Sequence, residues 1–271
     1  MKKLVFTLAT CCIMCACEQK TETNPFFTEF RTEYGAPDFD KIKIEHYEPA
    51  FLKGIEEQNA EIKTIVESRE TPGFENTIVA LDNSGRTLAR VKGVFYALTE
   101  ADTNDEMSAL SEKIAPVLSE HNDNIYLNQD LYKRVAAVWQ QEQEGKITLT
   151  TEQHRLLDKY YKAFIRSGAG LDAGKQNRLR EINKELSTLA ITFSNHVLNE
   201  NNAYRLVIDN EAELAGLPEW VNTGAAEEAK AVGKEGKWLF TLQNSSRLPL
   251  LQYADNRELR KDIYEAYINR G

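Results

Sequence analysis

The chain of 271 residues has little proline and glycine, no surplus of basic charge, and no long apolar segment beyond its first sixteen residues. Seven prolines and fourteen glycines are too few for a collagen-like or linker-like chain. A net charge of −9 argues against binding to nucleic acid or to anionic lipid, because both need a basic face. A mean hydropathy of −0.50 excludes a polytopic membrane protein. The hydrophobic share of 42% is sufficient for a packed core.

Cysteine is confined to the first 17 residues, where a basic start and an apolar run over residues 4–16 predict a secretory signal. Small residues precede Cys17 and polar residues follow it, which resembles a bacterial lipoprotein signal in which Cys17 is diacylated and becomes the new N-terminus. The alternative is ordinary signal cleavage with an incidental Cys17. Cys12 and Cys15 form a C-x-x-C pair without a second pair nearby, so no zinc site is predicted there. We expect an exported protein that is lipid-anchored to the bacterial envelope, on its periplasmic or outer-membrane face.

Three regions follow from these patterns. Residues 1–16 are predicted to be a signal peptide, residues 17–38 a lipid-anchored tether and docking segment, and residues 39–271 a helical domain. The tether contains four aromatic side chains that are expected to pack onto the body of the protein. They are Phe26, Phe27, Phe30 and Tyr34.

From Glu45 onwards, apolar residues recur at steps near 3.6, which predicts amphipathic helices. Their stripes run over residues 47–65, 78–98, 107–118, 131–138, 156–164 and 179–197. Gly85 lies in the second stripe, where a glycine predicts a close helix–helix approach. Thr150 and Gln153 match a capping box at the start of a helix. Short connections between these helices favour antiparallel layers.

The pattern changes at Tyr204. Residues 204–208 and 238–242 alternate in polarity and are rich in β-formers, which predicts a hairpin around a short helical insertion. Asp255 and Glu258 match the cap of a final helix. The predicted fold class is mainly α, with antiparallel helical layers and a small β-hairpin near residues 204–243.

The sequence contains no recognisable motif of catalytic residues. The four histidines, at positions 46, 121, 154 and 196, are never closer than 33 residues, so neither H-E-x-x-H nor another local pair of zinc ligands is present. His121 follows Leu118 on an apolar stripe and is predicted to be a hydrogen-bonded packing residue. We predict no catalytic and no metal-ligating residue in this chain; lipidation at Cys17 is the only site.

Several segments resemble one peptidase family. They read FDKIKIEHYEPAF at residues 39–51, FENTIVAL at 74–81 and YADNRELR at 253–260. In this order they are similar to the N-terminal part of bacterial dipeptidyl carboxypeptidases and oligopeptidase A, relatives of thimet oligopeptidase. The resemblance covers residues 37–271.

The resemblance implies a mostly helical zinc peptidase with a deep cleft. This chain would form one wall of that cleft and restrict access to it, so that only short peptides enter. In this family, Zn²⁺ is held by the two histidines of H-E-x-x-H and a downstream glutamate. The family members are longer, so the zinc ligands are expected outside this chain, and the chain alone is expected to be inactive. The expected partners are short peptides, the membrane through the lipid anchor only, and the catalytic half of the same polypeptide, against which Tyr264 and Tyr267 would pack.

A different class of function stays open from the sequence. The chain could be a short helical lipoprotein that binds peptides or a protein partner without hydrolysis. That hypothesis predicts a stop codon after Gly271 and a core without exposed apolar surface, whereas the peptidase segment is expected to expose apolar residues.

Overall fold

A computed structural model describes residues 23–271 of the protein, so the predicted signal peptide and Cys17 lie outside the described residues. Its helices are α1 (Ile44–Glu67), α2 (Ala80–Asp82), α3 (Arg86–Ala101), α4 (Asp105–Tyr126), α5 (Gln129–Gln143), α6 (Thr151–Arg166), α7 (Ala173–Ala203), α8 (Glu219–Ala231), α9 (Asn244–Tyr253) and α10 (Arg257–Ile268). Two short strands are present, β1 (Leu206–Ile208) and β2 (Trp238–Phe240). The predicted fold class, mainly α with a small β-hairpin, is confirmed.

The buried apolar side chains form three clusters. One lies between α1, α5 and α6 and contains Leu131, Leu157 and Phe164. A second lies between α1, α3 and α4 and contains Phe51 and Phe95. The third is formed by the strands and helices that follow α7. Helix α1 contributes to the first two clusters and therefore joins them.

The segment before α1 packs onto the second cluster through some of its aromatic residues. Phe26 is fully buried, and its ring centroid lies 5.2 Å from that of Tyr47. Its carbonyl oxygen accepts a hydrogen bond of 3.0 Å from Arg90. Phe30 is half-buried beside Phe26. The expectation is wrong for Phe27 and Tyr34, whose side chains are exposed to solvent.

The second predicted stripe is not one helix. A π-helical turn (Phe74–Val79) leads into α2, and the chain then breaks before α3 begins at Arg86. Gly85 adopts a left-handed conformation with φ of +72°, which a glycine adopts without steric cost. The close approach predicted at Gly85 is present, since a Cβ atom there would overlap the Gln58 side chain of α1 and the Gly85 N–H donates to Glu61 of α1 at 2.7 Å. Gly54 of α1 makes a second close approach, to the backbone of α3. A Cβ atom on Gly54 would lie 2.8 Å from the backbone of Leu88 in α3.

The caps of two helices show how far local sequence rules hold. At α6 the capping box is confirmed, since the Thr150 hydroxyl accepts from the Gln153 N–H and the Gln153 side chain accepts from the Thr150 N–H. At α10 the prediction that Asp255 caps the helix is wrong. The side chain of Asn256 caps that helix and accepts from the N–H groups of its first turn.

The predicted hairpin is present but shorter than expected. Leu206 pairs with Phe240 and Ile208 with Trp238 in an antiparallel register. The insertion between the strands contains α8, as predicted. The sequence patterns do not predict helix α9. Within residues 23–271, none of the helices combines the length and the apolar character needed to cross a bilayer.

The tight contact at Gly54 gives a test with a matched control. Gly54→Ala should destabilise the protein by about 1–3 kcal/mol, because the backbone of Leu88 cannot yield to the added methyl group. Gly93→Ala in α3 has open space around its Cβ position and should stabilise by about 0.5–1 kcal/mol through helix propensity. Urea unfolding of both variants checks this; equal effects would contradict the packing of α1 on α3.

Candidate functional site

The histidines lie in separate surroundings. The Nδ1 atom of His46 accepts from the Lys43 N–H at 3.0 Å. The Nδ1 atom of His154 lies 2.8 Å from a carboxylate oxygen of Glu142. His121 is buried and hydrogen-bonded, as its place on the apolar stripe predicts. In the part of the chain that the structure describes, no three His, Cys, Asp or Glu side chains are grouped so that they could hold a metal ion.

Helix α7 is the most unusual element, because it has 31 residues and none of them is buried. Its longest apolar stripe, which we call the apolar face of α7, consists of Ile182, Leu186, Leu189 and Phe193. Leu186, Leu189 and Phe193 are 56%, 54% and 57% exposed. A continuous row of exposed apolar side chains is typical of an interaction surface in a soluble protein.

A different side of α7 contacts α4, and these contacts are polar. The Asn183 amide donates to the Asp123 carboxylate at 2.8 Å, and Arg180 donates to the Asn124 side chain at 2.8 Å. Asp123 is only 4% exposed. Its burial raises the pKa of its carboxyl group, and the hydrogen bond from Asn183 and the charge of Arg180 oppose that rise. These polar contacts fix the position of α7 on α4.

A cleft of about 490 Å³ lies between α4, the end of α6 and α7. Ser119 and Asn122 of α4 line one side, and Leu186 and Ser187 of α7 line the other. Arg166 at the end of α6 contributes a positive charge to the same cleft. Because Leu186 also belongs to the apolar face of α7, the cleft and that face are continuous.

The last residues of the chain reach the far end of α7. The Gly271 N–H donates to Glu200 at 3.2 Å, and Arg270 donates to Asn201 at 2.7 Å. The guanidinium carbons of Arg247 and Arg270 lie 3.5 Å and 3.7 Å from the ring centroid of Tyr267. The ring of Tyr267 is therefore occupied within this chain, whereas Tyr264 and Ile268 are exposed.

Comparison with known proteins identifies the family. The chain is 38% identical over 246 residues to the dipeptidyl carboxypeptidase of Escherichia coli (strain K12), a match that covers 91% of this chain and 36% of that protein. It is 33% identical over 249 residues to oligopeptidase A of Salmonella typhimurium, covering 92% of this chain and 36% of that protein. The chain matches the N-terminal part of members of the dipeptidyl carboxypeptidase and oligopeptidase A family. The resemblance predicted from the sequence motifs is confirmed.

The match to this family also reaches plant proteins. The chain is 26% identical over 262 residues to a probable cytosolic oligopeptidase A of Arabidopsis thaliana, covering 94% of this chain and 36% of that protein. No family model matches the chain. In the dipeptidyl carboxypeptidase and oligopeptidase A relatives, the matched segment is the N-terminal part, and the chain spans about a third of their length.

The buried carboxyl group of Asp123 predicts a pH dependence. Its raised pKa means that the folded state keeps the proton to higher pH than the unfolded state does, so its contribution to stability declines as pH rises from the ordinary value of 3.8 through the folded pKa. Asp123→Asn lacks this titration and should therefore gain stability relative to the parent protein as pH rises through that window. Urea unfolding between pH 3.5 and about pH 8 measures the difference; the opposite trend would contradict the assignment.

Proposed function

We propose that the chain is the N-terminal segment of a zinc-dependent peptidyl-dipeptidase that hydrolyses short peptides, and that it forms one wall of the substrate cleft. The observation that carries this proposal is the 38% identity to dipeptidyl carboxypeptidase over 91% of the chain. The described residues offer no group that fits a zinc ion, so we assign no catalytic step to them. The zinc ligands and the general base are proposed to lie in the rest of the polypeptide.

The apolar face of α7 supports the presence of a large covering partner. Three of its side chains are more than half exposed, although their spacing is that of a core-facing helix. Tyr264 and Ile268 add exposed apolar area on α10. We propose that the catalytic part of the same polypeptide covers this surface, since its relatives are about three times as long as the matched segment.

The cleft beside α7 has the chemistry to contact short peptides. Asn122 presents an amide group that can both donate to and accept from a peptide main chain, and Asn183, whose nitrogen donates to Asp123, presents an amide oxygen that can accept. Arg166 can pair with a carboxylate of the peptide. This polar lining supports the assignment of the cleft as part of the substrate wall.

The proposed location is the bacterial envelope, with Cys17 as the lipid-bearing residue. The sequence around Cys17 supports this, since small residues precede it and Glu18 follows. Two acyl chains on an N-terminal Cys17 would hold the segment at the membrane surface and leave residues 23–271 in the aqueous phase.

Acylation at Cys17 is tested by mutation with a neighbouring cysteine as control. Cys17→Ala should abolish incorporation of labelled palmitate and leave the protein in the soluble fraction after export. Cys15→Ala should be acylated like the parent, because Cys15 lies within the segment that is removed. Mass spectrometry of the mature N-terminus reads out the result. Acylation of the Cys17→Ala variant would disprove the anchor.

Peptide hydrolysis tests the proposed activity. The 271-residue chain, purified with added zinc, should not hydrolyse an unblocked pentapeptide. The product of the complete reading frame that encodes it should release C-terminal dipeptides, and a chelator should stop that release. Hydrolysis by the 271-residue chain with one zinc per chain would overturn the assignment, as would a complete product without peptidase activity.

Exposure of the apolar face of α7 can be measured by a dye for apolar surface. Replacing both Leu189 and Phe193 by serine should lower dye fluorescence of the 271-residue chain by about half, with a change in unfolding free energy of about 0.5 kcal/mol or less. Leu52→Ser is the control, because Leu52 is similarly exposed on α1. Equal dye loss in both variants would contradict a special surface on α7.

A further inference from the structure

A groove of about 180 Å³ lies beside the third apolar cluster, between α8, β2 and the start of α9. Its floor is formed by buried apolar side chains, namely Val221, Ala225, Leu239 and Phe240. Four other lining residues are exposed, so a ligand in solution can reach them: Trp220, Gly224, Glu228 and Ser245. None of the residues that line this groove also lines the cleft beside α7.

The row of exposed residues on α8 has a gap at its centre. Trp220, Gly224 and Glu228 are four residues apart, so they lie in one row along two turns of the helix. A Cβ atom on Gly224 would have no neighbouring atom within 4 Å, so the space over this residue is open. The gap therefore lies between an indole ring, which is 62% exposed, and a carboxylate.

Glu228 gives this end of the groove a negative charge. Among the described residues that line the groove, it is the only ionisable one. It lies in the last turn of α8, which ends at Ala231, where unpaired carbonyl groups carry a partial negative charge. The exposed carboxylate of Glu227 adds to this potential. Lys230 in the same turn is 3.9 Å from Glu235 and does not line the groove. The charges around Glu228 therefore favour a cation.

The opposite side of the groove has the other polarity. Helix α9 begins there at Asn244, and no side chain of the described residues caps its first turn. The N–H groups of such a turn carry a partial positive charge. Ser245 adds an exposed hydroxyl group that can donate to a carbonyl oxygen. A ligand with a cation at one end and carbonyl oxygens at the other end matches both sides.

We propose that this groove binds an arginine side chain of a peptide. The guanidinium group would pair with the Glu228 carboxylate through two parallel hydrogen bonds. The aliphatic stem would lie over Gly224 beside the Trp220 ring, and the peptide carbonyl groups would accept from Ser245 and the start of α9.

The size of the groove agrees with this ligand. A cavity of about 150 Å³ holds benzene, so a groove of about 180 Å³ suits the slightly larger arginine side chain. The inference does not rest on the proposed peptidase activity, because it concerns binding by residues of this chain alone.

N-acetylarginine N-methylamide is the probe, and the 271-residue chain labelled with ¹⁵N is the protein. ¹H–¹⁵N spectra follow the indole N–H signal of Trp220, which is assigned by its loss in Trp220→Phe and should shift during titration. The corresponding citrulline compound has the same length but no charge, and should bind about fivefold more weakly. Equal binding of the two compounds, or no binding of the arginine compound, would overturn the proposal.

Three variants test the assigned residues. Glu228→Gln removes the charge at nearly constant size and should weaken binding of the arginine compound about fivefold. Glu227→Gln is the matched control, because Glu227 is exposed next to Glu228 but does not line the groove, and it should bind nearly as the parent does. Gly224→Leu should fold, since its Cβ position is open, and should abolish binding by filling the gap. Equal losses in both glutamate variants, or parent-like binding by Gly224→Leu, would disprove the site.

Discussion

The arrangement of the described chain depends on how helix α7 is held. One side of this helix is fixed on α4 by buried and half-buried polar groups, of which the Asn183–Asp123 hydrogen bond is the most enclosed. Its far end is bound to Arg270 and Gly271, the last residues of the chain. Polar contacts of this kind define position well but contribute little net free energy. The apolar face of α7, which would contribute more, is left uncovered.

The position of α7 is therefore well defined, whereas its apolar side chains bury little surface within the described residues. The clusters around α1 and around the hairpin bury their apolar residues within the chain. Helix α7 connects these parts without belonging to any of the three clusters. A helix that is covered only on its polar side is a suitable place for the rest of a larger peptidase to pack. The family match, which spans a third of its relatives, agrees with that interpretation.

Much of the fold could be predicted from the sequence because apolar periodicity and strand alternation are local signals. They predicted the hairpin, the capping box at Thr150 and the stripe of α7. They failed at Gly85, where the left-handed conformation of one residue interrupts a continuous apolar stripe. They also failed at α10, which is capped by Asn256 and not by the expected Asp255. Periodicity shows that the α7 stripe needs a partner but does not show whether that partner lies in the same segment.

The cavity of about 190 Å³ that is lined by His121 could not be predicted from the sequence, for a different reason. Its groups come from five helices, and their sequence positions carry no motif. The sequence predicts that His121 is a packing residue, which the structure bears out through the hydrogen bond to Gln58. Only the fold shows that the other ring nitrogen is buried and has no hydrogen-bond partner among the described residues.

Hydrogen exchange along α7 tests the central claim most directly. The amides of residues 182–193 would be compared between the 271-residue chain and the product of the complete reading frame that encodes it. If the catalytic part covers the apolar face, exchange in the complete product should be slower by about tenfold or more, while exchange in the buried helix α5 changes little. Equal exchange of α7 in both proteins would show that this face stays uncovered, and would contradict its role as the contact surface within a peptidase.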